Sequence, residues 1–95
     1  MVFDWDNSKN EKLQKERQIS FERIVIAIED GKLLEVLENP NRQEYAHQLL
    51  LLVEIDQYVW VVPTIQEKDR YFMITAFPSR KYTREYLGEK EHETR

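Results

Sequence analysis

The most β-rich segment of the sequence is Gln48-Leu-Leu-Leu-Leu-Val-Glu-Ile55, followed by Asp56-Gln57 and Tyr58-Val-Trp-Val-Val62. It contains two β-rich runs separated by two residues, which is the spacing of a β-hairpin with a tight turn. Pro63 has no N–H to donate to a strand pairing and therefore predicts the end of the second strand. The polar residues from Thr64 to Arg70 predict a loop after this hairpin.

Another strand is predicted after the loop, from Tyr71 to Phe77, with mostly apolar residues on both faces. Pro78 ends this strand, and Ser79 can cap a short helix that continues to about Leu87. The first turns of that helix carry three cationic side chains, Arg80, Lys81 and Arg84. Because a packed strand fixes where the helix starts, these cations are well placed to bind phosphate or carboxylate.

The N-terminal part of the sequence predicts a short strand followed by a first helix. The strand covers Val2 to Trp5, and either Asp6 or Ser8 can cap the helix, which runs to about Arg17. Apolar residues are almost absent from this helix. We therefore expect it on the surface, with Leu13 inward and its lysines in water.

A second helix is predicted to begin at Ser20, because the apolar residues after it recur at helical spacing, and Gly31 is placed to end it in a left-handed conformation. Leu33 to Leu37 either prolongs this helix or forms a short strand. The glycine favours the strand, with a turn from Glu38 to Asn41. The sequence thus predicts an α+β fold in which the N-terminal helices pack on a four-stranded antiparallel β-meander and a short helix ends the chain.

The chain of 95 residues is expected to form one domain over 1–95, with a frayed tail over 88–95. It has no cysteine, which excludes a disulfide scaffold, a thiolate nucleophile and zinc held by sulfur. Two isolated histidines without a regular carboxylate spacing argue against a metal site, and we expect no cofactor. The longest apolar run, Leu49 to Val53, is too short to cross a bilayer, so we expect a cytoplasmic protein without membrane contact.

Charge is distributed unevenly along the chain. The formal net charge of −4 disfavours broad, non-specific affinity for nucleic acid. Basic residues nevertheless cluster near both ends of the sequence, at Lys9, Lys12, Lys15 and Arg17 and again at Arg70, Arg80, Lys81 and Arg84. These two segments form a single cationic patch if the fold brings them together.

Three stretches of the sequence together resemble a known family. They are Phe3-Asp-Trp-Asp6, the basic helix that leads into Lys15-Glu-Arg-Gln-Ile-Ser-Phe-Glu22, and the segment from Ile74 to Tyr86. In order and spacing they resemble the BrnT-like toxins of bacterial type II toxin-antitoxin systems, within the RelE and ParE superfamily. The resemblance covers most of the chain. It implies a RelE-like fold, a metal-independent ribonuclease that inhibits translation, and a cognate antitoxin, often a ribbon-helix-helix protein, that neutralises it.

The resemblance also implies roles for particular residues. Arg80 falls on the arginine after the family's last strand, and Lys15 falls on its helix lysine. Metal-free cleavage needs the RNA 2′-hydroxyl to attack the neighbouring phosphorus, so Arg80 would stabilise the phosphoryl oxygens while Lys15 supplies a second cation or accepts a proton. His47 is a candidate proton shuttle. The candidate RNA contacts are Lys12, Arg17, Lys81, Tyr82, Arg84 and Tyr86.

Each candidate also has an ordinary structural explanation. Arg80 and Lys81 are equally expected if they only solvate a helix start and pair with Glu85 or Glu89. A lone histidine at the start of a strand, such as His47, is more often a surface or hydrogen-bonded residue than a proton shuttle.

Two departures from the family favour a second hypothesis. Where many relatives have Lys-His-Gly before the second helix, this chain has Lys15-Glu-Arg-Gln18, and its sheet offers only Glu54 where relatives often carry a basic residue. The alternative function is a non-catalytic binding module that keeps the fold and the partner interface but has lost ribonuclease activity. Trp5 and Trp60, a potential nucleotide platform, are expected in the core instead.

Overall fold

The computed structural model describes residues 2–39 and 48–88. Its regular elements, in chain order, are β1 (Val2–Asp4), α1 (Asn7–Arg17), α2 (Phe21–Glu29), β2 (Leu33–Glu38), β3 (Gln48–Ile55), β4 (Tyr58–Glu67), β5 (Arg70–Met73), β6 (Phe77–Pro78) and α3 (Arg80–Thr83), which continues as a π-helical turn (Arg84–Gly88). The tail predicted to fray lies, apart from residue 88, outside the described residues. No helix in the described ranges is long and apolar enough to span a membrane.

The strands form one mixed sheet in the order β1-β5-β4-β3-β2, and β6 also pairs with β4. β2, β3, β4 and β5 pair antiparallel with one another in that order. β1 pairs with β5 in parallel, with Phe3 opposite Tyr71. The predicted α+β class is therefore confirmed. The sheet is a mixed one of six strands, rather than a four-stranded antiparallel meander, because the N-terminal strand joins it and the strand predicted from Tyr71 to Phe77 is divided into β5 and β6.

The hairpin of β3 and β4 extends further than the sequence predicted. β3 covers Gln48–Ile55 as expected, and both residues of the Asp56-Gln57 turn have the positive φ that suits a two-residue hairpin. β4, however, continues through Pro63 to Glu67. The predictions that Pro63 ends this strand and that Thr64 to Arg70 is a loop are therefore wrong.

The position of Pro63 in the sheet explains why β4 tolerates it. Pro63 lies opposite Leu50 of β3, and its carbonyl accepts a hydrogen bond from the Ile74 N–H at 2.8 Å. In an antiparallel pairing the N–H and the carbonyl of one residue point to the same side, so the missing donor falls where the neighbouring strand is interrupted. Residues 74–76 are that interruption, and they split the strand predicted from Tyr71 to Phe77 into β5 and β6.

Capping residues fix where the two N-terminal helices begin. Asp6 accepts a hydrogen bond from the Ser8 N–H at the start of α1, and Ser20 accepts one from the Arg23 N–H at the start of α2. Gly31 follows α2 with φ of 83°, a conformation that residues with a Cβ rarely adopt. Both helices therefore lie where their local signals predicted them.

The first face of the sheet is covered by α1 and α2. Leu13, Phe21 and Ile24 are fully buried there, against inward residues of the sheet. Trp5 stacks on Phe21 with ring centroids 5.7 Å apart, and Trp60 packs against the same cluster, so both tryptophans contribute to the core as expected. Burial of each large apolar side chain stabilises such a fold by roughly 1.5–3 kcal/mol.

The second face of the sheet is covered, within the described residues, by the C-terminal helical segment. Leu52, Val59 and Val61 are the buried residues of this face. Side chains of α3 and the π-helical turn pack against them without being fully buried themselves, namely Tyr82, Tyr86 and Leu87. The sheet thus lies between two helical layers of unequal size.

One buried polar side chain joins the two N-terminal helices. Asn10 of α1 is only 5% exposed; its Oδ1 accepts a hydrogen bond from the Phe21 N–H at 2.8 Å, and its Nδ2 donates one to Glu22 Oε1 at 2.7 Å. The Asn10 amide lowers the pKa of the Glu22 carboxyl because it stabilises the charged form, and the backbone N–H of Glu22 adds to this effect. This contact fixes how α1 lies against α2, and no sequence pattern predicted it.

Candidate functional site

The two basic segments of the sequence are joined by one contact. Arg17 is the last residue of α1, and the helix ends there because Gln18 adopts the left-handed conformation with φ of 53°. The Arg17 Nη1 donates a hydrogen bond of 2.7 Å to the carbonyl of Ala76, which lies 59 positions further along the chain. The basic end of α1 is thereby attached to the segment between β5 and β6.

The Ala76 carbonyl lies where the sheet is interrupted, and the Arg17 side chain provides its hydrogen-bond donor. Ala76 lies fully buried in the interruption between β5 and β6. The outer neighbour of β5 is β1, and their pairing ends with Asp4 opposite Phe72. A buried carbonyl without a partner costs about 1–3 kcal/mol, so a guanidinium donor at this position removes that cost.

Arg80 is held at the start of α3 by the contacts of its neighbours. Ser79 accepts a hydrogen bond from the Tyr82 N–H at 3.1 Å, and its own N–H donates to the Val59 carbonyl at 2.9 Å. Thr83 Oγ1 accepts a hydrogen bond from the Val59 N–H at 2.8 Å. The start of α3 is therefore tied to β4, while Arg80 itself is exposed.

The chain itself limits the distance between the two basic segments. Arg80 follows Ala76 by four residues, and an extended chain advances about 3.3–3.6 Å per residue, so the two Cα atoms are at most about 14 Å apart. Lys15 is exposed on α1, two residues before Arg17. Neither the Lys15 nor the Arg80 side chain makes a hydrogen bond or an ion pair within residues 2–39 and 48–88. That these two cations converge on one phosphodiester stays a prediction.

The remaining predicted RNA contacts divide into exposed cations and packed rings. Lys12 of α1 and Arg84 of the π-helical turn are exposed. The Lys81 Nζ lies 5.4 Å from the centroid of the Tyr82 ring in a cation–π contact, and the Tyr82 and Tyr86 rings lie 6.3 Å apart. Both rings pack on the second face of the sheet, so stacking of RNA bases on them stays a prediction.

The surroundings of Tyr86 keep its hydroxyl protonated. Partial removal from water raises the pKa of this phenol, and the carboxylates of Glu35 and Glu85 raise it further. A phenol in this state donates a hydrogen bond and does not act as a base near neutral pH. The same carboxylates repel a phosphate, so contact of Tyr86 with RNA stays a prediction.

Two other arginines have acidic partners. Arg70 Nη1 lies 3.4 Å from Asp4 Oδ2, and Arg23 Nη2 lies 3.8 Å from Asp56 Oδ1. Arg70 therefore gives little net positive charge to the C-terminal basic cluster that the sequence suggested. Arg17 differs from both, because its partner is a neutral carbonyl and no acidic side chain pairs with it within residues 2–39 and 48–88.

Two depressions of the surface, with volumes of about 320 and 410 Å³, adjoin the turn between β3 and β4 and share Arg23 and Asp56 in their lining. The second also reaches Gln14 and Gln18, the chain neighbours of Lys15 and Arg17. Lys15, Arg17 and Arg80 line neither of them. These three side chains are exposed, and an exposed cationic surface suits a polyanion better than a small molecule.

Other parts of the predicted site are outside the described residues or were missed. His47, the candidate proton shuttle, lies outside the described residues. Among residues 2–39 and 48–88, no group of three or more His, Asp or Glu side chains is arranged to hold a metal ion. Sequence reasoning missed the Ala76 carbonyl and the Thr83 hydroxyl, because a backbone carbonyl and a single threonine carry no charge pattern or motif that marks them.

The fold and the site together define a small α+β domain in which Arg17, at the basic end of α1, contacts the segment that leads to α3. Comparison with protein-family models, with curated proteins and with solved structures finds no match to this chain. Its function is therefore inferred from its own residues and from the sequence resemblance.

Proposed function

We propose that this protein is the toxin component of a bacterial type II toxin-antitoxin system, acting as a metal-independent endoribonuclease that inhibits translation. Two N-terminal helices on one face of a largely antiparallel sheet, with a short C-terminal helical segment, support the RelE-like fold that the resemblance implies. In this proposal the protein acts in the cytoplasm and contacts RNA. A cognate antitoxin of the ribbon-helix-helix type neutralises it.

One observation carries the proposal. The hydrogen bond from Arg17 to the Ala76 carbonyl joins the basic end of α1 to the segment that leads into α3. The resemblance assigns the two principal cations of a ribonuclease, Lys15 and Arg80, to these two segments. Had the segments been unconnected, the charges would give no reason to propose phosphoryl transfer at one place.

In the proposed reaction Lys15 and Arg80 have different roles. The 2′-oxygen of the RNA attacks the adjacent phosphorus and loses its proton, while the 5′-oxygen leaves and gains one, so that a cyclic phosphate and a free 5′-hydroxyl result. The Arg80 guanidinium suits the phosphoryl oxygens, where charge accumulates during this step. Lys15 adds a second positive charge or accepts the proton of the 2′-hydroxyl.

Induced expression in a bacterium tests this function. Wild-type protein should arrest growth, and the purified protein should cleave RNA in the presence of EDTA. Arg80→Ala should restore growth and slow cleavage by about a hundredfold or more, because a group that stabilises transition-state charge is lost. The matched control is Lys32→Ala, which removes an exposed cation beside the β3–β4 turn and should arrest growth like the wild type. Normal growth with abundant, folded wild-type protein contradicts the proposal.

A second candidate function is that of a binding module without ribonuclease activity. β6 exposes both of its residues, and Phe77 is 38% exposed next to the cationic segment. An exposed aromatic ring on a short strand is suited to contact with a protein partner and has no role in metal-free phosphoryl transfer. Protein that leaves RNA intact in EDTA, but binds the product of an adjacent gene tightly, supports this function and excludes the first.

A further inference from the structure

We propose that Arg17 is a positioning residue, which acts through the Ala76 carbonyl to hold the segment that carries Arg80. Its charge and the sequence resemblance place Arg17 among the RNA contacts. Its hydrogen bond to Ala76, however, gives it a structural role within the protein. The effect on catalysis rests on the proposed function. The structural part of the inference does not depend on any activity.

The segment 74–79 is held mainly from one side. Towards β4, the N–H groups of Ile74 and Ser79 donate to carbonyls at 2.8 and 2.9 Å. On the opposite side β1 no longer covers the chain, because its pairing ends at Phe72. Arg17 provides the contact on this open side, at a carbonyl that lies between the two bonded N–H groups.

The helix that presents Arg17 is itself firmly packed. Leu13 of α1 is 1% exposed on the first face of the sheet, and Asn10 binds the start of α2 through two hydrogen bonds. A guanidinium has five N–H donors in a fixed plane, so one can bind the Ala76 carbonyl while the others stay in solvent. The packed helix α1 thus fixes the position of Arg17, and Arg17 in turn fixes the residues just before Arg80.

Amide hydrogen exchange of the full chain tests the structural part. Arg17→Met keeps an apolar stem of similar length and removes the donor. We expect the Ser79 amide to exchange about tenfold faster, because local opening of the segment becomes easier, while the Glu54 amide, bonded to the Lys32 carbonyl elsewhere in the sheet, changes less than twofold. Lys12→Met, which removes an exposed cation of the same helix, should change neither amide.

Three outcomes of this experiment overturn the inference. Unchanged exchange at Ser79 shows that the contact holds nothing in place. Equal acceleration at Ser79 and Glu54 shows that Arg17 only adds to general stability. If Arg17→Met does not fold, Arg17→Lys is tested instead. Its single flexible ammonium should leave the Ser79 amide exchanging severalfold faster than in the wild type. Exchange at the wild-type rate in this variant overturns the inference.

Ribonuclease kinetics test the catalytic part. In a protein that cleaves RNA, Arg17→Met should lower kcat about tenfold with KM changed less than twofold, because Arg80 is misplaced in the transition state. In the Arg80→Ala background the same substitution should cost less than twofold more, since Arg17 acts through Arg80. If the two substitutions lower kcat by factors that multiply fully, Arg17 makes its own contact with RNA, and the positioning role is overturned. If the wild type cleaves no RNA, the proposed function fails, while the exchange experiment still decides the role of Arg17.

Discussion

The two faces of the sheet are covered by helical segments of very different length. On the first face, α1 and α2 have 11 and 9 residues and bury whole side chains such as Leu13 and Phe21. On the second face, α3 has four residues and continues as a five-residue π-helical turn, and neither contains a fully buried residue. The first layer is thus held by apolar burial, whereas the second depends more on a few polar contacts.

This difference implies unequal resistance to local opening. Buried apolar area provides most of the stability of a packed element, so the first layer should open only when the whole domain unfolds. The C-terminal segment should open at a lower free energy. Arg80 begins that weaker segment, and the hydrogen bond from Arg17 connects it to the more stable layer.

The largest expected effect is on the first layer. Phe21→Ala removes a fully buried ring that stacks on Trp5, and we expect the free energy of unfolding to fall by about 3–5 kcal/mol, measured by urea denaturation. Ile26→Ala on the same helix is the control, because Ile26 is 52% exposed and its loss should cost less than about 0.5 kcal/mol. Equal effects of the two substitutions would show that α2 is not the main support of this layer.

A smaller and more local effect is expected on the second layer. Thr83→Val removes the hydroxyl that accepts the Val59 N–H and donates to the Ser79 carbonyl. Loss of these bonds should cost about 1–2 kcal/mol and speed exchange of the Val59 amide, while the Phe21 amide stays protected. Thr75→Val is the matched control, because the Thr75 hydroxyl has no hydrogen bond within the described ranges. Faster exchange at Phe21 would mean that the two layers open together.

The smallest effect concerns the pH dependence of the first layer. The pKa of Glu22 lies below its ordinary value of 4.5 in the folded protein, mainly because of the Asn10 amide. Its ionised form therefore stabilises the fold above pH 4.5, and this contribution disappears as the pH falls through the lowered pKa. Glu22→Gln should be less stable than the wild type at pH 7 by at most about 0.5 kcal/mol, because solvent screens this exposed side chain.

Denaturation at several pH values measures this difference. The two proteins should converge in stability as the pH falls below 4.5. Asn10→Ala should remove most of the difference at neutral pH, because the amide that lowers the pKa is gone. A difference between wild type and Glu22→Gln that is independent of pH would assign the effect to the shape of the side chain instead of its charge.

Elements whose signals are local could be predicted from the sequence. The Asp56-Gln57 turn lies between two β-rich runs, Ser20 is followed by apolar residues at helical spacing, and Gly31 occupies a position that needs positive φ. Each of these signals lies within a few residues of the structure it determines. The hairpin, α2 and the class of the fold follow from them.

Features that depend on distant partners could not be predicted in this way. Pro63 lies inside β4 because its missing donor faces the interruption at residues 74–76, which the sequence does not mark. The contact of Arg17 with Ala76 depends on the packing of α1 against the sheet. Charge patterning drew attention to Arg17 as an RNA contact, but it could not distinguish a cation that binds the protein's own backbone from one that faces solvent.

The parallel pairing of β1 with β5 has a consequence for the way the chain acquires its structure. Val2 lies opposite Arg70, so the N-terminal strand finds its place only after Arg70 has been made. Contacts between such distant positions form slowly, because a large loop must close before they bring any gain. The Ala76 carbonyl, which accepts the hydrogen bond from Arg17, is made later still. A nascent chain that ends before Ala76 therefore carries its basic helix without the hydrogen bond from Arg17, and that contact forms only after Ala76 has been made.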